Sequence, residues 1–240
     1  MNKLLINEDE IMSQQAREVF RSFRSNIEFT GVDNRAIVIT SCLPADGKST
    51  VSLRLAMTFA ESEKKTVLVD ADMRRSVLMR KVRAEGDDTS VGLSHVLSGQ
   101  KSVTEALYET NLKNLYVIPS GKFPTNSTEL LGNSRFEELI IALKKTFDYV
   151  IVDTPPLGSV IDTAVVSKFC DGAVIILACG EISYRFAKRV KDQLAMTGCK
   201  ILGCVLNKVE MSGKGYYGKY YGKYYGKYYG KYYGNYGTEE

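Results

Sequence analysis

The chain has 240 residues, 44% of them hydrophobic, enough to bury a full core, and 32 basic against 28 acidic residues leave a net charge of only +4. A balance so close to neutral does not by itself imply a nucleic-acid partner. Five cysteines with no CxxC pair and a single histidine, His95, leave no zinc set and point to reduced thiols in a cytosolic protein. No apolar run reaches the roughly 18 residues of a membrane-spanning helix, so any membrane role has to pass through a partner.

In chain order, Asn7 followed by Glu10 marks a helix start, and Ala16, Val19, Phe20, Phe23 and Ile27 recur at helical spacing up to Gly31. This predicts one amphipathic first helix. Short β-branched runs then fall at 36–41, 66–69, 115–118, 149–152, 173–177 and 201–206, alternating with longer helical patterns. Such alternation predicts an α/β fold with a mostly parallel sheet and helices on both faces. After Asn207 the composition changes abruptly to a YYGK repeat with no aliphatic core residue, and glycine at every fourth position predicts a disordered tail. The chain therefore divides into an N-terminal helix (1–31), a core (32–210) and a tyrosine-rich tail (211–240).

The segment Cys42-Leu-Pro44-Ala45-Asp46-Gly47-Lys48-Ser49-Thr50 lies between a predicted strand and a predicted helix. A phosphate-binding loop needs backbone N–H groups aimed at the phosphates, a helix N-terminus behind them, a lysine for the β and γ oxygens and a hydroxyl for magnesium. Gly47, Lys48 and Ser49 supply these parts, although Cys42 stands where GxxxxGK[ST] has its first glycine. Two further strands end in carboxylates: Val67-Leu-Val-Asp70-Ala-Asp72-Met-Arg74-Arg75, and Tyr149-Val-Ile-Val-Asp153-Thr-Pro-Pro. Carboxylates at the C-terminal ends of parallel strands lie where open α/β sheets bind ligands, and there they can hold magnesium directly or through water. The three motifs together, each in its strand context, predict a nucleotide site of the P-loop NTPase type.

A tyrosine hydroxyl has a pKa near 10, so a carboxylate base beside it would assist its phosphorylation; otherwise phosphoryl transfer needs mainly positioning and charge neutralisation. Asp70 is the candidate base, Asp72 and Asp153 the candidate magnesium holders with Ser49, and Arg74 a candidate second cation beside Lys48. Spacing alone does not sort the three aspartates among these roles.

With these motifs the chain resembles the bacterial tyrosine kinases of capsule and exopolysaccharide systems over nearly its whole length. The GKS, DxD and DTPP segments match that family's Walker A, A′ and B, the family's Walker A is also loose at its first glycine, and GLSHVLSG (92–99), LYVIPSGKFPTNSTELL (115–131) and VLNK (205–208) are similar too. The resemblance implies tyrosine kinase activity with ATP and Mg2+, a base role for Asp70 and magnesium roles for Ser49, Asp72 and Asp153. It further implies nucleotide contacts from Pro44, Ala45, Asp46, Gly47, Lys48, Ser49 and Thr50, with Asn207 near the adenine. Glu18, Arg21 and Arg24 match the ExxRxxR segment through which such kinases form rings, and on spacing alone they are an exposed helix ridge with a weak ion pair. Members without membrane spans work in the cytoplasm, recruited to the inner face of the membrane by the cytoplasmic segment of a transmembrane adaptor. That adaptor, a homo-oligomeric ring and a cognate phosphotyrosine phosphatase are the implied partners.

Eleven tail tyrosines, Tyr216, Tyr217, Tyr220, Tyr221, Tyr224, Tyr225, Tyr228, Tyr229, Tyr232, Tyr233 and Tyr236, are the expected acceptors. A flexible chain of about 25 residues spans roughly 25–30 Å, enough to reach a site in its own or a neighbouring subunit. Five lysines and two glutamates give residues 211–240 a charge of +3, which full phosphorylation would turn strongly negative. Two other classes share the motifs: a ParA/MinD-like ATPase switch, whose signature lysine would fall at Leu43, and a nucleotide-gated scaffold without phosphotransfer. His95 in GLSHVLSG reads as a structural histidine.

Overall fold

The computed structural model describes residues 2–80, 83–85 and 91–209. Its elements are, in order, β1 (Asn2–Leu5), α1 (Glu8–Ile11), α2 (Gln14–Glu28), β2 (Ala36–Ser41), α3 (Lys48–Glu61), β3 (Thr66–Asp70), β4 (Arg83–Glu85), α4 (Leu93–Leu97) and α5 (Val103–Ala106). There follow β5 (Tyr108–Thr110), β6 (Leu115–Ile118), α6 (Ser127–Leu131), α7 (Ser134–Thr146), β7 (Tyr149–Asp153), α8 (Asp162–Ser167), β8 (Gly172–Ala178), α9 (Tyr184–Ala195) and β9 (Ile201–Asn207).

The strands form one sheet in the order β4-β1-β5-β6-β3-β7-β2-β8-β9. From β6 to β9 every neighbouring pair is parallel. The β1/β4 and β5/β6 pairs are antiparallel, so the sheet is mixed toward one end. Strand residues alternate between the two faces, and the core divides accordingly. Ala36 and Val38 of β2 enter a layer with Phe136, Ile140, Val190 and Leu194 of α7 and α9, while Ile37 and Ile39 enter the layer built on α2 and α3 with Phe20, Leu55 and Phe59. Burial on both faces is why these strands read as continuous apolar runs.

All six predicted strands are present, with ends shifted by a residue or so. Three more, β1, β4 and β5, are only three or four residues long, and so short a segment carries no period of its own. Their existence follows from pairing: β1 with β4 and β5, and β5 with β6. The single first helix is a further correction. Asn7 occupies the N-cap position of α1 but makes no side-chain capping bond, and the chain turns extended at Met12. A second helix, α2, then starts under Ser13, whose Oγ accepts from the N–H of Ala16. The Arg17 guanidinium bridges Glu8 and Glu61, fastening both helices to α3. No helix among the described residues is long and apolar enough to cross a membrane. The tail and its eleven tyrosines lie outside the described residues.

For the site, the decisive feature is the neighbourhood of β2, β3 and β7 in the middle of the sheet. Their parallel pairing brings the loop after β2 and the aspartates that end β3 and β7 to one edge.

Candidate active site

The loop from Cys42 to Gly47 is folded by its own polar groups. Leu43 N–H donates to Asp46 Oδ2 at 2.8 Å, and Ser41 Oγ donates to the Leu43 carbonyl at 2.8 Å. Ala45 and Gly47 have φ of +67° and +97°, the left-handed backbone that turns successive N–H groups into a concave anion-binding nest in front of α3. A Cβ at Gly47 would also lie 2.1 Å from Asn207 Nδ2, so that side chain would have to leave its bond to the loop. Cys42, by contrast, is not among the positive-φ residues, so the position of the missing first glycine does not need one. Its side chain is buried, and burial pushes the thiol up to about 11, away from reactive thiolate chemistry.

Lys48 opens α3 and reaches across the sheet edge. Its Nζ donates to Asp72 Oδ2 at 2.9 Å and to Ser49 Oγ at 3.2 Å, and lies 4.0 Å from Asp153 Oδ2. Burial works to lower the ammonium's pKa, but Asp153 and Asp72 outweigh it and the net shift is upward, so Lys48 is charged. Asp70 and Asp153 are register partners at the ends of β3 and β7. Asp153 Oδ1 accepts from Ser52 Oγ at 3.0 Å, whereas its buried Oδ2 has no hydrogen-bond partner among the described residues. Burial raises the Asp153 pKa, with Lys48 opposing. Asp70 is fully buried; burial and the neighbouring Asp153 charge push its pKa up to about 8.

The structure thus brings Lys48, Ser49, Asp70, Asp72 and Asp153 together at one edge, with Asp46, Gly47 and Thr50 on the adjoining loop and helix. Pro44 and Ala45 are exposed at the loop tip. Asn207, at the end of β9, donates its side-chain amide to the Asp46 carbonyl at 2.8 Å and so lies against the loop backbone. The Asp153-Thr-Pro-Pro segment is pinned by hydroxyls: Thr40 Oγ1 and Thr163 Oγ1 both donate to the Pro155 carbonyl, at 2.9 and 2.6 Å.

Arg74 is placed differently from the expectation of a second cation on the phosphates. Its guanidinium forms a two-pronged pair with buried Asp162, at 2.7 and 3.1 Å, and also donates to Thr128 Oγ1 at 2.7 Å. A fork-shaped guanidinium matches a carboxylate in this way, and the pair ties the loop after β3 to α6 and α8. Glu18 and Arg21 do form an exposed ion pair on α2, at 2.5 Å. Arg24 leaves that ridge and turns inward, donating to the Thr58 carbonyl of α3 at 3.2 Å. His95 accepts from the Gly92 N–H at 3.3 Å, a capping contact at the start of α4.

Two contributors escaped sequence reasoning. Ser52 sits four residues after Lys48 on α3, a helical spacing that places it on the same face and was available as a signal. Ser76, whose Oγ donates a short hydrogen bond to Asp70 Oδ2, lies on a loop with no periodicity to reveal it.

Residues 34–202 match a family model described as "AAA domain". The chain is 42% identical over 212 residues to "Tyrosine-protein kinase CpsD" of Streptococcus agalactiae, covering 86% of this chain and 92% of that protein. The chain belongs to the bacterial tyrosine-protein kinases. A second such kinase, "Tyrosine-protein kinase YwqD" of Bacillus subtilis, is 37% identical over 84% of this chain and 86% of its own length. Among solved structures, the kinase domain of Escherichia coli tyrosine kinase ETK superposes with a TM-score of 0.75 at 28% identity, covering 84% of this chain and 80% of that one. The wider P-loop fold is shared with the septum site-determining protein MinD of Pyrococcus horikoshii, solved with Mg-ADP, at a TM-score of 0.62 and 25% identity over 74% of this chain and 72% of that one. The tyrosine kinase is thus built on a nucleotide-binding P-loop fold, and the MinD-like switch has less support than the kinase.

Proposed function

We propose that this kinase moves the γ-phosphoryl group of ATP onto tyrosines of its own tail, residues 216–236, and thereby regulates capsular or exopolysaccharide synthesis and export. The observation that carries the reading is the convergence of a charged, buried lysine with three strand-end carboxylates behind a positive-φ loop. In this reading the backbone of residues 44–50 cradles the phosphates, Lys48 leaves Asp72 for the β and γ oxygens, and Asn207 lies near the nucleotide. Asp70 accepts the phenolic proton as the phenol oxygen bonds to the γ-phosphorus and the bond to the bridging oxygen of ADP breaks. Burial and the Asp153 charge raise its pKa, which makes it a stronger base once ionised, and a cation held by Asp72 and Asp153 would favour that ionised form.

The site also suits Mg2+. The buried Asp153 Oδ2 accepts no hydrogen bond among the described residues and has only the Lys48 ammonium at 4.0 Å, which leaves it able to take a cation, and Ser49 and Asp72 lie beside the same lysine. No three His, Cys, Asp or Glu side chains form a ready cage among the described residues. In phosphate sites one or two carboxylates typically share a Mg2+ ion with water and substrate phosphates. Asp72, Asp153 and Ser49 would hold it, and it would neutralise charge on the β and γ oxygens.

A transmembrane adaptor that recruits the kinase to the inner face of the membrane, a homo-oligomeric ring contacted through Glu18 and Arg21, and a cognate phosphotyrosine phosphatase complete the proposal. Intact-mass spectrometry after incubation with Mg-ATP is the test, with Lys48→Met alongside. Several added phosphates that map to the tail, absent from Lys48→Met, are the expected result; ATP binding without any phosphate transfer would leave a nucleotide-gated scaffold instead.

A further inference from the structure

The candidate base is not free in this conformation. Asp70 is fully buried, and both its carboxylate oxygens are taken. Oδ1 accepts from the backbone N–H of Asp72 at 3.2 Å, and Oδ2 accepts from the Ser76 hydroxyl. Ser76 Oγ in turn accepts from the N–H of Leu78 at 3.2 Å, which fixes the hydroxyl's place and leaves its proton for Asp70. Ser76 itself is half-buried, on a loop whose neighbours Arg74, Arg75 and Val77 are exposed. The loop is held from both sides. Arg74 is clamped to Asp162, and Arg75 N–H donates to Asp72 Oδ1 at 3.0 Å. A half-buried side-chain hydroxyl thus sits on the base, hydrogen-bonded in the manner an acceptor hydroxyl would have to be.

We infer that Ser76 Oγ occupies the acceptor-hydroxyl subsite of this kinase, so that a substrate phenol reaches Asp70 only by displacing the serine hydroxyl. This rests on the base role proposed for Asp70. Ser76 is then a residue that sets acceptor affinity, because every incoming phenol exchanges a bond the protein already makes for one of the same kind. Hydroxyl-to-carboxylate bonds are among the stronger polar contacts, and the competition is felt in the acceptor's KM. Ser76→Thr keeps the hydroxyl and hence the competition. Ser76→Ala removes it.

The test is steady-state phosphotransfer by the full chain to a synthetic peptide carrying the YYGK repeat, with Lys48→Met as the blank. In Ser76→Ala the peptide KM is expected to fall roughly three- to tenfold, while Ser76→Thr keeps the parent's KM. A peptide KM in Ser76→Ala that is unchanged or higher overturns the inference, as does a fall in kcat alone, which would make Ser76 merely an orienter of Asp70. Should Ser76→Ala lack a melting transition, Ser76→Cys takes its place, since its thiol keeps the volume but is a weak donor; a KM equal to the parent's in that variant overturns the inference too. Asp70→Asn separates the two layers. If it retains transfer, the base reading fails; if it abolishes transfer while Ser76→Ala leaves KM unmoved, only the Ser76 assignment fails.

Discussion

Asp70, Asp72 and Asp153 bring three carboxyl groups into one space where, among the described residues, Lys48 is the cation that pairs with them. Concentrating like charges at low exposure is costly, and the fold accepts that cost at this one edge. Asp70 shows it most clearly, since its pKa of about 8 lies far above the roughly 3.9 of a free aspartate. A folded-state pKa above the unfolded value means that the native protein holds the proton more tightly. The associated stability is therefore complete below about pH 4 and is lost as pH rises through 8. Asp70→Asn, which cannot ionise, is expected to raise the melting temperature of the nucleotide-free protein, by more at pH 9 than at pH 5. Melts at the two pH values measure this, and an equal gain at both would mean that Asp70 is not held protonated.

Among the elements, α2 distinguishes two arginines that the sequence spacing grouped together. Arg21 is 51% exposed and, among the described residues, pairs only with Glu18, itself 71% exposed, whereas the Arg24 side chain is 21% exposed and bonded to α3. An exposed pair of this kind contributes a few tenths of a kcal/mol at most, and a half-buried bond to a carbonyl about 1 kcal/mol. Arg24→Ala is thus expected to lower stability by about 1 kcal/mol in denaturant unfolding, and Arg21→Ala by less than about 0.5. If α2 also joins subunits, Arg21→Ala lowers the assembled mass in light scattering without that loss of stability. An unchanged mass would remove Arg21 from the interface.

For the whole molecule, the buried residues of both core layers precede position 200, and Ile201, Leu202 and Val205 of β9 pack against them. β9 completes the sheet by pairing with β8, and Lys208 is tied to Glu181 at 2.9 Å just beyond it. The buried core residues, among those described, all lie upstream of the tail. A chain ending at residue 210 is therefore expected to keep the melting temperature of the full protein within about 2 °C, since a loss of even 1 kcal/mol would shift it by 2–4 °C at this size. In the intact-mass experiment the same truncation should lose the added phosphates. Retained phosphate would place the acceptors elsewhere in the chain.

The strands at the centre of the sheet were legible because burial on both faces demands uninterrupted β-branched residues, a local signal that needs no partner. The GKS loop and the strand-end aspartates were legible for a related reason, since phosphate chemistry restricts both residue type and spacing. What only the tertiary structure decided depends on distant pairs. Strands β1, β4 and β5 exist through pairing at the sheet's end, and the arginine that fastens α1 and α2 to α3 reaches a glutamate 44 residues away. The inward turn of Arg24 depends on a carbonyl 34 residues away, and the capture of Arg74 on a carboxylate 88 residues away. The Ser76 hydroxyl on Asp70 is the short-range exception, six residues apart, and it was hidden because a loop has no period from which a side chain's direction can be read.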